Sequence, residues 1–214
     1  MQKKINIVLF SIVFILLFYI VISNEKIKVY SKKINYLDNT IVINIYSKNS
    51  NLSNKALKEI EKIYKSSNDE ICITTNKASK KLKQLKIKNY IINAQGNIIV
   101  GNHYNNNYYK VALEDPNIVD GVFKILKLEN KSVATLINPN YEIKDNVRYF
   151  SDVTYKSINV ISDDLTKSKK TLNKISQMNI NEGKEYINNL KDVDAIWYLF
   201  DDSIITSKGI KNYE

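Results

Sequence analysis

Several residue types that carry function in other chains are nearly missing here. Glycine and proline number 5 and 2 in 214 residues, so collagen-like and Pro-rich linker tracts are excluded. There is one cysteine, Cys72. That rules out an internal disulfide and any metal site built from several cysteines. In an Ile71-Cys72-Ile73 run, the thiol reads as buried and inert. The single histidine, His103, sits in a Gly-Asn-His-Tyr-Asn loop with no evident base partner, and reads as a solvated loop residue. No helix-turn-helix, zinc-finger or RNP-like motif accompanies the formal net charge of +10, whose lysines are scattered among Asp and Glu. Nucleic acid is therefore not an expected partner.

What is present is ordinary globular material. Hydrophobic residues make up 44% and charged residues 25%, over a length that suits one domain with a real core. Lys, Asn, Ile and Tyr are overused throughout, as codon bias in an AT-rich genome would produce.

The N-terminus is different. Met1–Lys4 is short and basic, and Ile5–Ser23 carries no charge. At about 1.5 Å per residue that run can cross the ~30 Å hydrocarbon core of a bilayer. It is longer than a signal-peptide core, ends without a small-x-small cleavage site, and is followed by no lipid-accepting cysteine. The expectation is an uncleaved signal anchor over residues 1–24, a connector over 25–39 and one folded domain over 40–214. Lys3 and Lys4 favour a cytoplasmic N-terminus, although Lys26 and Lys28 lie on the other flank. The expected location is the cell membrane, single-pass, with the C-terminal domain outside the cytoplasm.

Beyond the anchor, Thr40–Tyr46 alternates as a β-branched strand. Leu52–Lys65 is periodic at helical spacing, with Asn51 or Ser53 as cap, and Lys77–Lys86 reads as a short basic helix. Strands are expected over Asn89–Ala94, Asn97–Gly101, Tyr108–Leu113, Val122–Leu128, Ser132–Leu136, Val147–Phe150 and Ser157–Ser162. A helix then begins at Asp163 or Asp164, a second is capped by Asn181, and a hairpin closes over Asp201-Asp202-Ser203. Meanders mixed with packed helices mean an α+β fold.

This order of elements resembles the FAD:protein FMN transferase family, the ApbE-like proteins. The segment Lys88–Ile98 is similar to the family's strand ending in Asn-Ala-Gly-Gly-Asn/Asp. Tyr109–Pro116 is similar to its Trp-x-Val-Gly-Ile-x-Asp-Pro, and Ser132–Thr135 followed by Tyr141-Glu142 to its Val-Ala-Thr-Ser-Gly-x-Tyr-Glu-Arg. Ser157–Ser207 resembles its closing strand-helix-helix-hairpin. Near the anchor, Asn39-Thr40 and Ala56–Tyr64 resemble its Met-Gly-Thr start and first helix. The resemblance implies a mixed or antiparallel sheet with packed helices, and FAD and Mg²⁺ as the family's cofactors. It implies a protein threonine, on a flavoprotein target, as acceptor of FMN. It points to Asn93, Ala94, Gly96 and Thr135 as cofactor-binding positions.

Other positions depart from the family. The long section that the family places between its first two helices is reduced to Lys65–Asn76. Ile71 stands where the family has a phosphate-contacting lysine. Phe150–Thr154 is too short for the family's His-His loop and has no histidine. In the family's Ala-Asp-Ala-x-x-Thr metal motif, Asp and Thr four apart share one helix face and offer hard oxygens to Mg²⁺; the aligned residues here are Lys169 and Asn173. The resulting expectation is a catalytically degenerate relative acting as a binding or accessory module, with no catalytic residue, no metal ligand and no cofactor of necessity. Two alternatives stand beside it: an active Mg-dependent transferase with a rearranged site, and a basic surface domain for anionic wall polymer or lipid.

Overall fold

The computed structural model describes residues 26–214. The expected anchor, Ile5–Ser23, lies outside them. No helix among the described residues is long and apolar enough to cross a membrane.

The fold is built on one eight-stranded sheet. From edge to edge its strands are β1 (Lys28–Tyr36), β2 (Asn39–Ser47), β3 (Tyr90–Ala94), β4 (Asn97–Val100), β7 (Lys131–Ile137), β10 (Tyr155–Ser162), β11 (Val193–Leu199) and β12 (Ile204–Thr206). Every neighbouring pair is antiparallel. Four helices lie on one face: α1 (Ser50–Ser66), α2 (Ile71–Gln84), α3 (Leu165–Ile175) and α4 (Ile180–Asn188). The other face is partly covered by a hairpin of β5 (Tyr109–Glu114) and β6 (Val122–Leu128) and by a closing 3-10 turn, Lys208–Tyr213. A second hairpin, β8 (Tyr141–Lys144) with β9 (Val147–Phe150), stands at the rim.

The period of two in the strands decides what goes where. In β2, Ile41, Ile43 and Ile45 are fully buried under the helices; full burial of such a side chain is worth about 1.5–3 kcal/mol. In β7, Ala134 points to that same core, while Val133 joins the hairpin-side core with Leu126 and Leu128. Strand β10 is sandwiched between both layers and is buried from Lys156 to Ser162. The expected α+β class and antiparallel sheet are thus observed.

Four local expectations need correction. The stretch expected as a connector, with some strand character at Ile27–Tyr30, carries the whole of β1, paired with β2 over nine positions, so the sheet begins at Lys28. Its polar composition is that of an edge strand with one solvated face. Helix α2 starts at Ile71, six residues before Lys77. The β-branched run Ile71–Thr75 argues locally for a strand, but tertiary bonds override it. Tyr64 donates to Thr75 Oγ1 at 2.9 Å, and Tyr36 Oη lies 3.2 Å from Thr74 Oγ1. The cap of α1 falls two residues before Asn51 and four before Ser53, the two expected, and that of α4 two residues before Asn181. Asn49 accepts from Leu52 N–H at 2.9 Å, and Asn179 forms a reciprocal capping box with Glu182. Asp164, not Asp163, caps α3. Strand β8 was not signalled by its Tyr-Glu-Ile-Lys sequence, because little of it is buried.

Candidate functional site

The turn joining β3 to β4 is Gln95-Gly96, with φ of 51° and 80°. Both angles are left-handed, the signature of a two-residue type I′ hairpin, and this is one place where glycine is required. Asn93 steadies the turn by accepting Gly96 N–H at 3.1 Å. A Cβ placed on Gly96 would lie 3.8 Å from Thr135 Cβ. The turn therefore sits against the middle of the sheet, where β7 passes.

A cleft of about 320 Å³ opens at this point on the hairpin side. Its walls include Asn93, Gly96 and Thr135 from the sheet, with Glu114, Asp120 and Gly121 from the end of the β5–β6 hairpin. Three of the four residues expected from the sequence are thus brought together. Ala94 is not: its side chain is fully buried in the helix-side core, and its backbone pairs with Ile41 and Asn97 within the sheet. Nor does the turn offer a row of free backbone donors, since Gly96 N–H is already engaged by Asn93.

Sequence reasoning missed the residue behind this wall. Thr135 donates to Asn159 Oδ1 at 2.8 Å. Asn159 is 1% exposed, and its Nδ2 has no partner. Two residues away on the same face, Ser157 Oγ is also buried without a partner. A buried donor left unsatisfied costs about 1–3 kcal/mol, so these groups mark β10 as poised for a polar neighbour. The signal in the sequence was Asn at the centre of an otherwise apolar strand, Ile158-Asn159-Val160.

The rim is tied down by Arg148. Its guanidinium pairs with Glu114 and donates to the carbonyls of Asp115 and Pro116 at 3.1 and 3.4 Å. This fastens the β8–β9 hairpin to the cleft's outer wall. Lys156 plays a parallel role nearby. It is buried, pairs with Asp202 at 2.6 Å, and lies among the rings of Phe150, Tyr198 and Phe200 at 5.8–6.0 Å. That lysine and Asn117 hold the Asp202 carboxyl below its usual range. The Asp201-Asp202 turn is thus a turn as expected, with an anchor the sequence did not show.

The expected metal position lies on the opposite face. Helices α2 and α3 pack together there, and Lys169 lies close enough to Cys72 to influence its thiol. The segment that the resemblance assigns to metal and the one it assigns to a phosphate-contacting lysine are therefore neighbours in space. They present a lysine, a buried thiol and, one turn on, an exposed Asn173. Burial pushes the Cys72 thiol up, against a smaller pull from Lys169. No group of three or more His, Cys, Asp or Glu that could hold a metal exists among the described residues. A divalent cation does not fit this donor set, because an ammonium supplies repulsion where a hard oxygen is needed. Asp164 does not substitute. Burial pushes its carboxyl up, but bonds from Asn76 and from the Lys167 and Thr166 backbone outweigh that and hold it below the usual range. Its Oδ1 accepts from the Thr166 and Lys167 N–H groups and its Oδ2 from Asn76 Nδ2, so both carboxylate oxygens are engaged. His103 packs on Tyr104 and Tyr109 and accepts Asn105 N–H at 3.3 Å, away from the cleft.

Comparison with known proteins agrees with this architecture. The model of the ApbE family matches residues 73–197. Among solved structures, flavin transferase ApbE from Vibrio cholerae superposes with a TM-score of 0.69 at 9% identity, covering 88% of this chain and 100% of that one. The ApbE protein from Thermotoga maritima gives 0.66 at 13% identity, covering 87% and 99%. The flavinyl transferase ApbE of Pseudomonas stutzeri gives 0.50 at 15% identity, covering 65% and 48%. At these identities the structures speak for the fold. No curated protein matches the chain. The family match spans the sheet from α2 through β11 and includes both the cleft turn and the lysine-bearing helix, and on that ground the chain belongs to the ApbE family.

Proposed function

We propose that this protein is a membrane-anchored, extracytoplasmic flavin-binding member of the ApbE family that has lost metal-dependent FMN transfer. It acts as a binding or accessory module. The observation that carries the reading is a division between the two faces. The cleft keeps a threonine, an asparagine and the family's glycine turn, with an unpartnered buried amide behind them. The α2–α3 face carries Lys169 where metal chemistry would need a carboxylate.

The residues at the cleft suit the polar edge of a flavin ring. That edge alternates acceptors with an N–H donor; Thr135, Asn93 and the Asn159 amide offer both kinds of partner. The volume sits near the lower bound of the roughly 300–1,000 Å³ typical of small-molecule pockets, which suits a ring system better than a whole dinucleotide. Flavin, when bound, would supply its own ring chemistry; the chain's part is to hold and orient it. Mg²⁺ is not assigned.

Titrating the protein into FMN and FAD and following flavin fluorescence tests this. Quenching is expected without Mg²⁺, and Thr135→Val should weaken it roughly 5- to 10-fold, the worth of one hydrogen bond of about 1 kcal/mol. Absence of quenching at submillimolar flavin sinks the binding reading. Covalent FMN on a threonine-bearing peptide, formed with FAD and Mg²⁺, sinks the inactive one and favours the rearranged transferase.

A further inference from the structure

At the end of the sheet opposite the Gln95-Gly96 turn, three chain segments converge. They are the start of β1, the end of β2 and the α2–β3 connection. Between them runs a groove of about 330 Å³, lined by Ile27, Tyr46, Leu52, Lys86 and Lys88 among others, and, among the described residues, by no Asp or Glu. Lys26 and Lys28 flank its mouth on the chain. Lys26, Lys28, Lys86 and Lys88 are all exposed, and none makes an ion pair with a described residue. By contrast, Lys77 on α2 is neutralised by Asp69. Beside the lysines, Val29 is 56% exposed. Lys86 is held outward by a left-handed backbone (φ 60°) that ends α2.

Along the sequence this rim follows directly on the apolar run Ile5–Ser23, only Asn24 and Glu25 separating Ser23 from Lys26. We infer that the lysine rim is a docking surface for anionic lipid headgroups, which tilts the domain onto the bilayer by its β1–β3 half. The inference rests on the anchor reading above and not on flavin binding. Three features support it. Lys26, Lys28, Lys86 and Lys88 are exposed with no ion pair among the described residues and outnumber the one acidic residue of the tether, Glu25; exposed Val29 adds apolar surface at the same strand end; and the tether is only two residues long. At this end of the sheet Glu129 stands just before β7, and Asp163 and Asp192 belong to the β10–β11 half, so these carboxylates lie off the β1–β3 half. The consequence is orientation: β3 separates rim from turn, so a docked domain points its cleft away from the membrane.

The test uses the full chain in lipid nanodiscs, with amine acetylation of each lysine read by mass spectrometry. In discs containing phosphatidylglycerol, Lys86 and Lys88 should label about 5-fold more slowly than in zwitterionic discs, the factor for ~1 kcal/mol per lysine near an anionic surface. Lys110 and Lys144, on other faces, should not change. The protection should vanish near 0.5 M salt, where the screening length falls to roughly 4–5 Å. In Lys86→Glu/Lys88→Glu, Lys28 should regain its zwitterionic rate. Equal rates in the two kinds of disc overturn the docking. So does equal protection in zwitterionic discs given a soluble polyphosphate, which would make the rim a polymer site. A chain stripped from the discs by alkaline carbonate overturns the anchor and the docking together.

Discussion

Removal of the Asp164 carboxylate is the most direct test of how the two helices are locked together. One oxygen of Asp164 accepts Thr166 N–H at 2.8 Å and Lys167 N–H at 3.1 Å, capping α3. The other accepts Asn76 Nδ2 from α2 at 2.7 Å, across 88 residues of sequence. Asp164→Ala loses the cap, about 0.5–2 kcal/mol. It also leaves the buried Asn76 amide with only Thr166 Oγ1 at 3.2 Å, a further ~1–2 kcal/mol. The total, about 1.5–4 kcal/mol, should move a urea midpoint down by roughly 0.8–2 M at an m-value near 2 kcal/mol/M. Trp197 reports the transition: it is 1% exposed and the only tryptophan. Asp164→Asn keeps a capping oxygen and should cost roughly half as much. The pH profile adds an independent check. The folded carboxyl is held below its usual range, so its contribution is complete above the unfolded value of about 3.9 and is lost as pH falls through the folded value. Asp164→Asn should flatten that acid limb. An Asp164→Ala midpoint within about 0.3 M of wild type would refute the account.

Four further outcomes follow from the packing. A Cβ at Gly101 would lie 2.1 Å from the Lys88 carbonyl oxygen and 2.7 Å from the Tyr90 ring. Gly101→Ala should therefore destabilise by ~3 kcal/mol or more in the same urea assay. Gly183→Ala, in α4 with its nearest contact at 3.4 Å, should be neutral or stabilising by up to ~1 kcal/mol. Arg148→Met removes the fastening between the β8–β9 hairpin and Glu114. Backbone amides of β8 and β9 should exchange at least ~10-fold faster while core strands keep their protection. Cys72 is 2% exposed and its thiol is pushed up by burial; a thiol reagent at neutral pH should modify it only as fast as the protein opens.

Three residues of the cleft are legible in the sequence. Asn93, Gly96 and Thr135 come from two segments about 40 residues apart, and a match to short family motifs placed both segments. Asn159 was not legible as a partner, because only strand pairing sets it opposite Thr135. The same holds for Ala94: period two puts its side chain in the core, yet a motif match treats the turn as one unit.

Local pattern alone fixed most strands, the α1 face and the presence of one long apolar N-terminal run, since these depend on the spacing of side chains along a single segment. The resemblance to family motifs, not spacing, set Lys169 at the place of the family's metal-motif carboxylate. Only the tertiary structure decided that Ile71–Thr75 is helical, since Tyr36 and Tyr64 reward the helix with hydroxyl partners. Only the tertiary structure gathered Lys28, Lys86 and Lys88 at one rim, because antiparallel pairing brings distant strand ends side by side and no local signal records it.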